Sequence, residues 1–157
     1  MSTKRIAIFP GTFDPFTRGH ESVVARALDL FDEIVIAIGI NDAKRPLFSV
    51  DERVAMIAGL YADNPRIRVE AYSDPTVDFA ERHAARYILR GIRSVGDFEY
   101  EKTIADINRV LSGVETVVLF TEAEFAHVSS TIVRELMRFG KDVSGFLPAG
   151  MKLPQRG

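Results

Sequence analysis

The sequence lacks cysteine, a marked excess of either charge and any long apolar run. Without cysteine, these 157 residues form no disulfide bond, use no thiolate nucleophile and hold no metal through sulfur. The 20 basic and 22 acidic residues give a formal net charge of −2, so no global electrostatic field favours nucleic acid or an anionic membrane as a partner. Any anion-binding site must therefore be local.

No apolar run approaches the ~20 residues that a membrane-spanning helix needs. The apolar stretch that precedes Gly11 is five residues long, which is too short for the core of a signal peptide. We therefore expect a cytoplasmic protein. The length and an apolar content of 46% predict one domain over residues 1–157, with a short helix or tail from about Phe146.

Short apolar runs alternate with longer amphipathic segments along the chain. The predicted strands cover residues 6–9, 34–38, 67–71, 87–89 and 117–120, and the predicted helices cover about 19–30, 50–61, 77–83, 97–111 and 130–139. The first, second and fifth strands are continuously apolar, which predicts burial on both faces. The alternation predicts an α/β fold, a doubly wound, Rossmann-like domain with a five-stranded parallel sheet and helices on both faces.

Local signals predict where three of the helices begin or end. Thr17 is a candidate N-cap for the first helix, and Ser49 with Glu52 three residues later forms a capping box for the second. Gly140 follows the fifth helix, where a glycine can adopt the left-handed conformation that ends many helices.

In open parallel sheets, ligands bind where the carboxyl ends of the strands meet the N-termini of the helices. Polar, charged or aromatic candidates follow every predicted strand. They are Thr12, Phe13 and His20 after the first strand, Lys44 after the second, Thr76 after the third, Arg90 and Arg93 after the fourth, and residues 125–131 after the fifth.

His20 is placed in the first turn of the first predicted helix. There an imidazole can donate a hydrogen bond to a phosphate oxygen beside the free backbone N–H groups of the helix. A lone histidine is more often a capping or solvent-facing residue. The preceding Thr-Phe-Asp-Pro at 12–15 and the adjacent Gly19 favour the phosphate-binding interpretation.

Arg90 and Arg93 flank Gly91 at the end of the fourth predicted strand. Each guanidinium can hold a phosphate through two hydrogen bonds, and Lys44 adds a mobile point charge. One such charge-assisted hydrogen bond contributes about 1.5–3 kcal/mol. The alternative is that these cations pair with acidic neighbours such as Asp97, and the residues alone leave both interpretations open.

Ser129, Ser130 and Thr131 open the last predicted helix, and one N-cap needs only one hydroxyl. The surplus predicts a second phosphate contact, with capping and solvation as the alternative. Glu101 can accept a hydrogen bond from a ribose or hold a phosphate-binding arginine. Its other interpretation is an ordinary glutamate on the surface of a helix.

Several familiar catalytic signatures are missing. No G-x-G-x-x-G follows the first strand, and the chain has neither a P-loop nor a G-x-S-x-G nucleophile elbow. His20, His83 and His127 lack metal-ligand spacing, so we expect no fixed zinc site. Phosphate donors without an obvious nucleophile indicate phosphoryl or nucleotidyl transfer, in which positioning and charge stabilisation supply most of the catalysis.

Two separated motifs carry a family resemblance. T-R-G-H at 17–20 and V-S-S-T-I-V-R at 128–134 resemble the T/H-x-G-H and I-S-S-T-x-x-R motifs of the nucleotidylyltransferase superfamily. With P-G-T-F-D-P-F at 10–16, I-L-R-G-I-R-S-V-G-D-F-E-Y-E at 88–101 and F-L-P at 146–148, the chain is similar to bacterial phosphopantetheine adenylyltransferases from about Arg5 to Pro148. The resemblance therefore covers nearly the whole chain.

This resemblance implies a reaction of ATP with 4′-phosphopantetheine that gives dephospho-coenzyme A and pyrophosphate in coenzyme A biosynthesis. It implies Mg²⁺ carried by the triphosphate, with no metal ligand from the protein. It further implies a cytoplasmic homohexamer with coenzyme A as a feedback ligand, and neither a nucleic acid nor a membrane as partner.

The matching motifs also imply residue roles. His20 would stabilise the transition state. The implied ATP-binding residues are Thr12, Phe13, His20, Gly91, Ile92, Arg93, Glu101, Phe125, Ala126, His127, Val128, Ser129, Ser130 and Thr131. The implied phosphopantetheine-binding residues are Thr12, Lys44, Thr76 and Arg90.

The chain departs from the family pattern at two places. Relatives often carry Leu-Met where Pro75 and Thr76 stand, so a contact to the pantetheine arm there would come from backbone or hydroxyl groups. Relatives often carry tryptophan at the position of Phe125. Two rival functions remain: another nucleotidylyltransferase acting on a nucleotide or sugar-alcohol phosphate, and a non-catalytic nucleotide- or flavin-binding module.

Overall fold

The computed structural model describes residues 2–41 and 43–156, which form a parallel five-stranded sheet with helices on both faces. The strands are β1 (Ile6–Gly11), β2 (Glu33–Gly39), β3 (Ile67–Tyr72), β4 (Tyr87–Ile92) and β5 (Glu115–Phe120). The α-helices are α1 (Arg18–Ala27), α2 (Val50–Leu60), α3 (Thr76–Arg82), α4 (Val95–Ser112) and α5 (Ser130–Arg138). The predicted fold class is confirmed.

The strand order is β3-β2-β1-β4-β5, and every neighbouring pair is parallel. The chain builds outward from β1 on one side and then returns to β1 on its other side through β4. A switch in direction of this kind opens a crevice at the carboxyl ends of the two central strands. The loops after β1 and β4 therefore meet at one place.

The alternation of side chains along β1 and β2 fills two apolar cores. Phe9 and Ile36 pack with residues of α1 and α2 on one face, whereas Ile8 and Val35 pack with Phe79 of α3 on the other. Because both faces are covered, the continuously apolar pattern of the two strands is explained.

The prediction that residues 117–120 are buried on both faces is wrong. β5 pairs only with β4 among the described strands, and it leaves Val118 38% and Phe120 76% exposed. A run of apolar residues is the same in a central strand and in an edge strand whose outer side awaits a partner. Sequence periodicity alone does not distinguish the two cases.

The predicted helix ends are largely present. Thr17 and Ser49 close capping boxes at α1 and α2. Gly140 has φ 68° after α5, and its N–H donates to the Met137 carbonyl oxygen while the N–H of Lys141 donates to that of Leu136. This is the Schellman arrangement expected of a glycine at that position.

Several element boundaries differ from the predicted ones, and at two helix ends the structure shows a local reason. α1 ends at Ala27 and not at residue 30. Just beyond this end, the Arg66 guanidinium donates hydrogen bonds to the carbonyl oxygens of Leu28 and Phe31. α4 begins two residues early because the Ser94 hydroxyl caps it. Beyond the 3₁₀ turn at Ser144–Phe146 the described C-terminal residues form a tail without a helix. None of the described helices is both long and apolar enough to cross a bilayer.

Candidate active site

A cavity of about 300 Å³ lies at the carboxyl edge of the sheet, where the loop after β1, the end of β4 and the N-terminus of α5 meet. These three segments are far apart in sequence. Ten of the predicted residues line the cavity: Thr12, Phe13, His20, Arg90, Gly91, Arg93, Val128, Ser129, Ser130 and Thr131. The predicted convergence of distant loops at one rim is therefore observed.

A second cavity of about 240 Å³ adjoins the first and shares Thr12 and Arg90 with it. Thr76 and Glu101 line this second cavity. The Thr76 hydroxyl lies 2.8 Å from the Tyr72 hydroxyl, so a polar side chain does occupy the position at which the chain departs from its relatives. Arg90, which is predicted to bind a phosphate, therefore lies at the junction of the two cavities.

Other predicted residues do not line either cavity. Lys44 is exposed in the loop that follows β2, and Ile92 is buried at the end of β4. Phe125 ends a short 3₁₀ turn, and Ala126 and His127 are exposed beside it. Of the segment implied to bind nucleotide, only its last four residues reach the cavity wall.

His20 has a fixed orientation and a fixed tautomer. Its Nδ1 accepts a hydrogen bond from the Thr17 N–H at 3.0 Å, which completes the capping box of α1. The ring proton of a neutral imidazole must then be on Nε2, the nitrogen left to donate. Its ring also packs against those of Phe13 and Phe16, with centroids 5.0 and 5.3 Å away.

Burial lowers the pKa of His20 to about 3, with further lowering by the charges of Arg90 and Arg93. Desolvation penalises the imidazolium, and two nearby cations add to the penalty. At neutral pH the side chain is therefore an uncharged donor in the wall of a cavity that is also lined by arginines.

Acidification should destabilise the folded protein through His20. Its pKa falls from 6.5 to about 3 on folding, so below pH 6.5 the unfolded chain binds the proton first and stability is lost as the pH falls towards 3. The loss is up to about 1.4 kcal/mol per pH unit. Urea unfolding should show that the unfolding free energy falls between pH 7 and pH 5, and that this fall is about 1–2 kcal/mol smaller in His20→Gln than in the wild-type protein. An equal loss of stability in the variant would contradict the lowered pKa of His20 in the folded protein.

Arg90 is held by Glu101 through two parallel hydrogen bonds. Its Nε and one terminal nitrogen lie 2.9 and 2.7 Å from the two carboxylate oxygens, and its other terminal nitrogen donates to the Pro10 carbonyl oxygen. Glu101 is only 7% exposed. Of the roles left open for Glu101, the geometry matches the one in which it orients an arginine.

Arg93 is exposed, and among the described residues it pairs with Asp97 in the first turn of α4. The Arg93 Nε lies 3.8 Å from Oδ2 of Asp97, and the Arg93 N–H donates to that oxygen at 2.9 Å. Asp97 is the neighbour named in the alternative interpretation. A surface pair at this distance is weak, so the guanidinium remains available to an anion in the cavity.

The three hydroxyls that open α5 have different partners. Ser129 caps the helix by accepting from the Ile132 N–H at 3.2 Å. Ser130 donates to the Pro15 carbonyl oxygen at 2.7 Å, which ties α5 to the loop after β1. Thr131 accepts from Arg134 at 3.3 Å. The N-terminus of α5 thus lies against the cavity with its own hydroxyls already engaged.

Asp14, Thr121 and Arg134 are polar lining residues to which sequence reasoning assigned no role in the site. Arg134 lies one turn beyond Ser130 on the same face of α5, and its guanidinium donates to the Asp14 carbonyl oxygen at 2.9 Å. Helical spacing from Ser130 was a usable signal for Arg134. No local pattern marks Thr121, which follows the end of β5.

Comparison with known proteins gives matches along most of the chain. A model described as Cytidylyltransferase-like matches residues 8–136. The chain is 62% identical to the phosphopantetheine adenylyltransferase of Phocaeicola vulgatus and 60% identical to that of Bacteroides thetaiotaomicron. Both alignments cover 95% of this chain and 99% of the relative.

A solved structure shares the fold at much lower identity. It is a bifunctional NMN adenylyltransferase/ADP ribose pyrophosphatase from Francisella tularensis, complexed with AMP and a manganese ion. The TM-score is 0.66 at 16% identity, over 92% of this chain and 44% of that longer one. At this identity the likeness concerns the fold alone.

Proposed function

Because the chain belongs to the phosphopantetheine adenylyltransferase family, we propose that it transfers AMP from ATP to 4′-phosphopantetheine, giving dephospho-coenzyme A and pyrophosphate. The observation that carries this proposal is the meeting of His20, Arg90 and the N-terminus of α5 around one cavity. Residues 1–157 would act as a single nucleotidylyltransferase domain. A cytoplasmic location stays a prediction.

The proposed chemistry is a direct in-line displacement. An oxygen of the pantetheine phosphate attacks the α-phosphorus of ATP, a new P–O bond forms, and the bond to the β-phosphate oxygen breaks as pyrophosphate leaves with its electron pair. A phosphate anion attacks without first losing a proton, so no protein base is required. Positioning and stabilisation of the growing charge then supply the catalysis.

His20 is the proposed stabiliser of the transition state. Its Nε2–H is a neutral donor held in place by the Nδ1 contact to Thr17. A donor that is already oriented costs no reorganisation when charge develops on the phosphoryl oxygens. Arg93 and the first turn of α5 would hold the remaining phosphates of ATP.

The two cavities would divide the substrates. We assign the first cavity to ATP, with Thr12, Phe13, residues 91–93 and residues 125–131 around it. Ile92 would contribute through its backbone, since its side chain is buried. The second cavity would take the pantetheine side, with Thr76 on its wall and Arg90 at the junction.

Two assignments require more than the observed geometry. Lys44 would reach the pantetheine phosphate only if its exposed loop approached the site on binding. Glu101 would act on the nucleotide through its partner Arg90, since both of its carboxylate oxygens already accept hydrogen bonds. Both roles remain proposals.

We propose that a divalent cation enters this site together with the triphosphate. Among the described residues, no group of three or more His, Cys, Asp or Glu side chains is placed to hold a metal ion. Asp14 lines the cavity, but its carboxylate accepts the N–H groups of Leu47 and Phe48. We propose Mg²⁺ as the ion, which would neutralise charge on the leaving pyrophosphate.

The reaction is tested by incubating the protein with ATP, MgCl₂ and one acceptor at a time while released pyrophosphate is measured. 4′-Phosphopantetheine should support turnover, and EDTA should abolish it. Turnover only with nicotinamide mononucleotide or a sugar-alcohol phosphate would reject the proposed acceptor. ATP binding without pyrophosphate release from any acceptor would favour a non-catalytic module. We also propose coenzyme A as a feedback ligand, so adding it to the same assay should lower turnover.

We propose that the chain forms a homohexamer and that the outer surface of α4 takes part in the assembly, because apolar residues remain exposed there. Ile107 and Leu111 are 49% and 67% exposed at helical spacing on α4. A contiguous apolar surface of this kind is typical of a protein interface. The occupant that we propose for this surface is a second copy of the chain.

Introducing charge on this surface should break the assembly. Ile107→Glu combined with Leu111→Glu should lower the mass measured by light scattering from that of the assembly to a smaller species. Leu30→Glu changes a 43% exposed residue outside this surface and should leave the mass unchanged. An unaltered mass in the double variant would place the interface elsewhere.

A further inference from the structure

Arg53, in the first turn of α2, is a buried arginine with no assigned role. Its side chain is 2% exposed, and its guanidinium donates only to backbone carbonyl oxygens among the described residues. The shortest contact joins one terminal nitrogen to the Thr12 carbonyl oxygen at 2.8 Å, and its Nε reaches that of Phe48 at 3.1 Å. Burial lowers its pKa, with a partial offset from the charge of Asp14. Burying a guanidinium is costly, so a specific role is expected.

The Thr12 carbonyl oxygen belongs to the peptide that enters Phe13. Phe13 has φ 50°, a conformation that is unfavourable for any residue with a side chain. Such a conformation persists only where the surroundings fix it. The Phe13 ring packs against Phe9 and Phe16, and its far end lies against Gly11, where an added Cβ would come within 2.8 Å of it.

A second contact fixes the other side of Phe13. Asp14 is 3% exposed, and its carboxylate accepts the N–H groups of Leu47 and Phe48 at 2.8 and 2.9 Å. The loop after β1 thus accepts hydrogen bonds through one carbonyl oxygen and one carboxylate. The donors are the Arg53 guanidinium and two backbone N–H groups just before α2.

The direction of the Thr12 carbonyl decides where the next N–H points. In a trans peptide the C=O and N–H groups point in opposite directions, and the Thr12–Phe13 peptide is trans. With the carbonyl oxygen turned inward to Arg53, the Phe13 N–H is turned away from Arg53. It donates to no acceptor among the described residues, and Phe13 lines the cavity.

We infer that Arg53 is a positioning residue for adenylyl transfer. It holds the Thr12–Phe13 peptide so that the Phe13 N–H is presented to a phosphate oxygen in the cavity. This inference rests on the proposed function, because it assigns the anion to the ATP polyphosphate. The inference also explains why a charge is buried here. Without the Arg53 guanidinium, the Thr12–Phe13 peptide could flip and turn the Phe13 N–H away from the cavity.

Kinetics of two Arg53 variants test the inference. Arg53→Met keeps the length and removes every donor, so kcat should fall about tenfold to a hundredfold, as expected when a reacting group is misplaced by about 1 Å. Arg53→Lys keeps the charge but lacks the planar fork, so kcat should recover only in part. The dissociation constant of ATP should change by less than the change in kcat. A wild-type kcat in folded Arg53→Met would overturn the inference, and if that variant does not fold, a wild-type kcat in Arg53→Lys would do so.

Arg66 offers a matched control. Within the part of the chain that the structure describes, its guanidinium also donates only to backbone carbonyl oxygens, those of Leu28, Phe31 and Asp32, but it lies at the opposite edge of the sheet. Arg66→Met should lower the melting temperature and leave kcat of the folded enzyme unchanged. An equal loss of kcat in both arginine variants would mean that general destabilisation, and not positioning, explains the Arg53 effect.

The wild-type protein supplies a test that needs neither variant nor turnover. When ATP is added, the amide resonance of Phe13 in a TROSY spectrum should shift among the most strongly of all assigned amides. A Phe13 amide that stays unchanged while those of Gly91 and Ser130 shift would reject the inference. Failure of adenylyl transfer in the acceptor assay would instead reject the proposed function, so the two failures are distinguishable.

Discussion

Replacing His20 by alanine should lower kcat about 100-fold to 1,000-fold while the dissociation constant of ATP changes only a few-fold. The imidazole provides one preorganised, neutral hydrogen-bond donor, because Thr17 holds its Nδ1 and burial keeps it uncharged. Charge on the phosphoryl oxygens grows as the P–O bonds rearrange. The contact is therefore worth more in the transition state than in the bound ground state.

The variant also loses half of the capping box of α1, so stability must be separated from catalysis. Loss of one capping contact costs about 1 kcal/mol, which leaves the protein folded at assay temperature. Turnover from pyrophosphate release and ATP affinity from calorimetry should be measured on the same folded samples. His83→Ala is a suitable control, because His83 ends α3 at the opposite edge of the sheet.

Turnover that survives essentially intact in His20→Ala would reject its role. A parallel loss of turnover and ATP affinity would instead assign His20 to ground-state binding. Full activity in His83→Ala alongside a large loss in His20→Ala is the expected pair of results.

The sequence predicts the order and type of the elements because each segment carries its own period. Ile34 and Ile36 belong to a run that is apolar at every position, which fits only a strand covered on both faces in this alternation. Thr17 and Ser49 are equally local signals, since a cap needs only its own first turn. Once the elements are known, parallel connections bring the loops to one edge, and the meeting of His20 with Ser130 follows.

The remaining features depend on partners that no local pattern encodes. In the sequence, Arg53 looks like an ordinary charged residue of a helix. Its burial depends on the fold, which brings it beside the Thr12 carbonyl oxygen 41 positions earlier. Glu101 has the spacing of a surface residue on α4, yet it is buried on Arg90. The exposure of Phe120 depends on whether another surface covers the sheet edge.

The ion pair of Arg90 and Glu101 should separate a structural contribution from a functional one. Arg90→Met leaves the buried Glu101 carboxylate without its partner, which should cost about 3–5 kcal/mol of unfolding free energy. The same change removes the proposed hold on the pantetheine phosphate. With two charge-assisted hydrogen bonds of about 1.5–3 kcal/mol each, kcat/KM for 4′-phosphopantetheine should fall more than about 100-fold.

An exposed ion pair provides the control for the stability measurement. Arg109 and Glu115 pair at the opposite edge of the sheet, with side chains that are 60% and 50% exposed. Solvent screening makes such pairs worth about 0–1 kcal/mol. Urea unfolding should therefore show a far smaller loss for Arg109→Met than for Arg90→Met, with kcat/KM unchanged in the control.

The double variant Arg90→Met with Glu101→Leu separates the contribution of the ion pair to stability from the contribution of Arg90 to phosphate binding. It removes both charges from the buried site, so the unfolding free energy should return to within about 1–2 kcal/mol of the wild-type value. Activity should not return, because no guanidinium remains at the junction of the two cavities. If kcat/KM recovered together with stability, Arg90 would be a structural residue and the phosphate would be held elsewhere. If stability recovers but kcat/KM does not, the buried pair can be replaced for folding, whereas the charge of Arg90 is needed for the reaction.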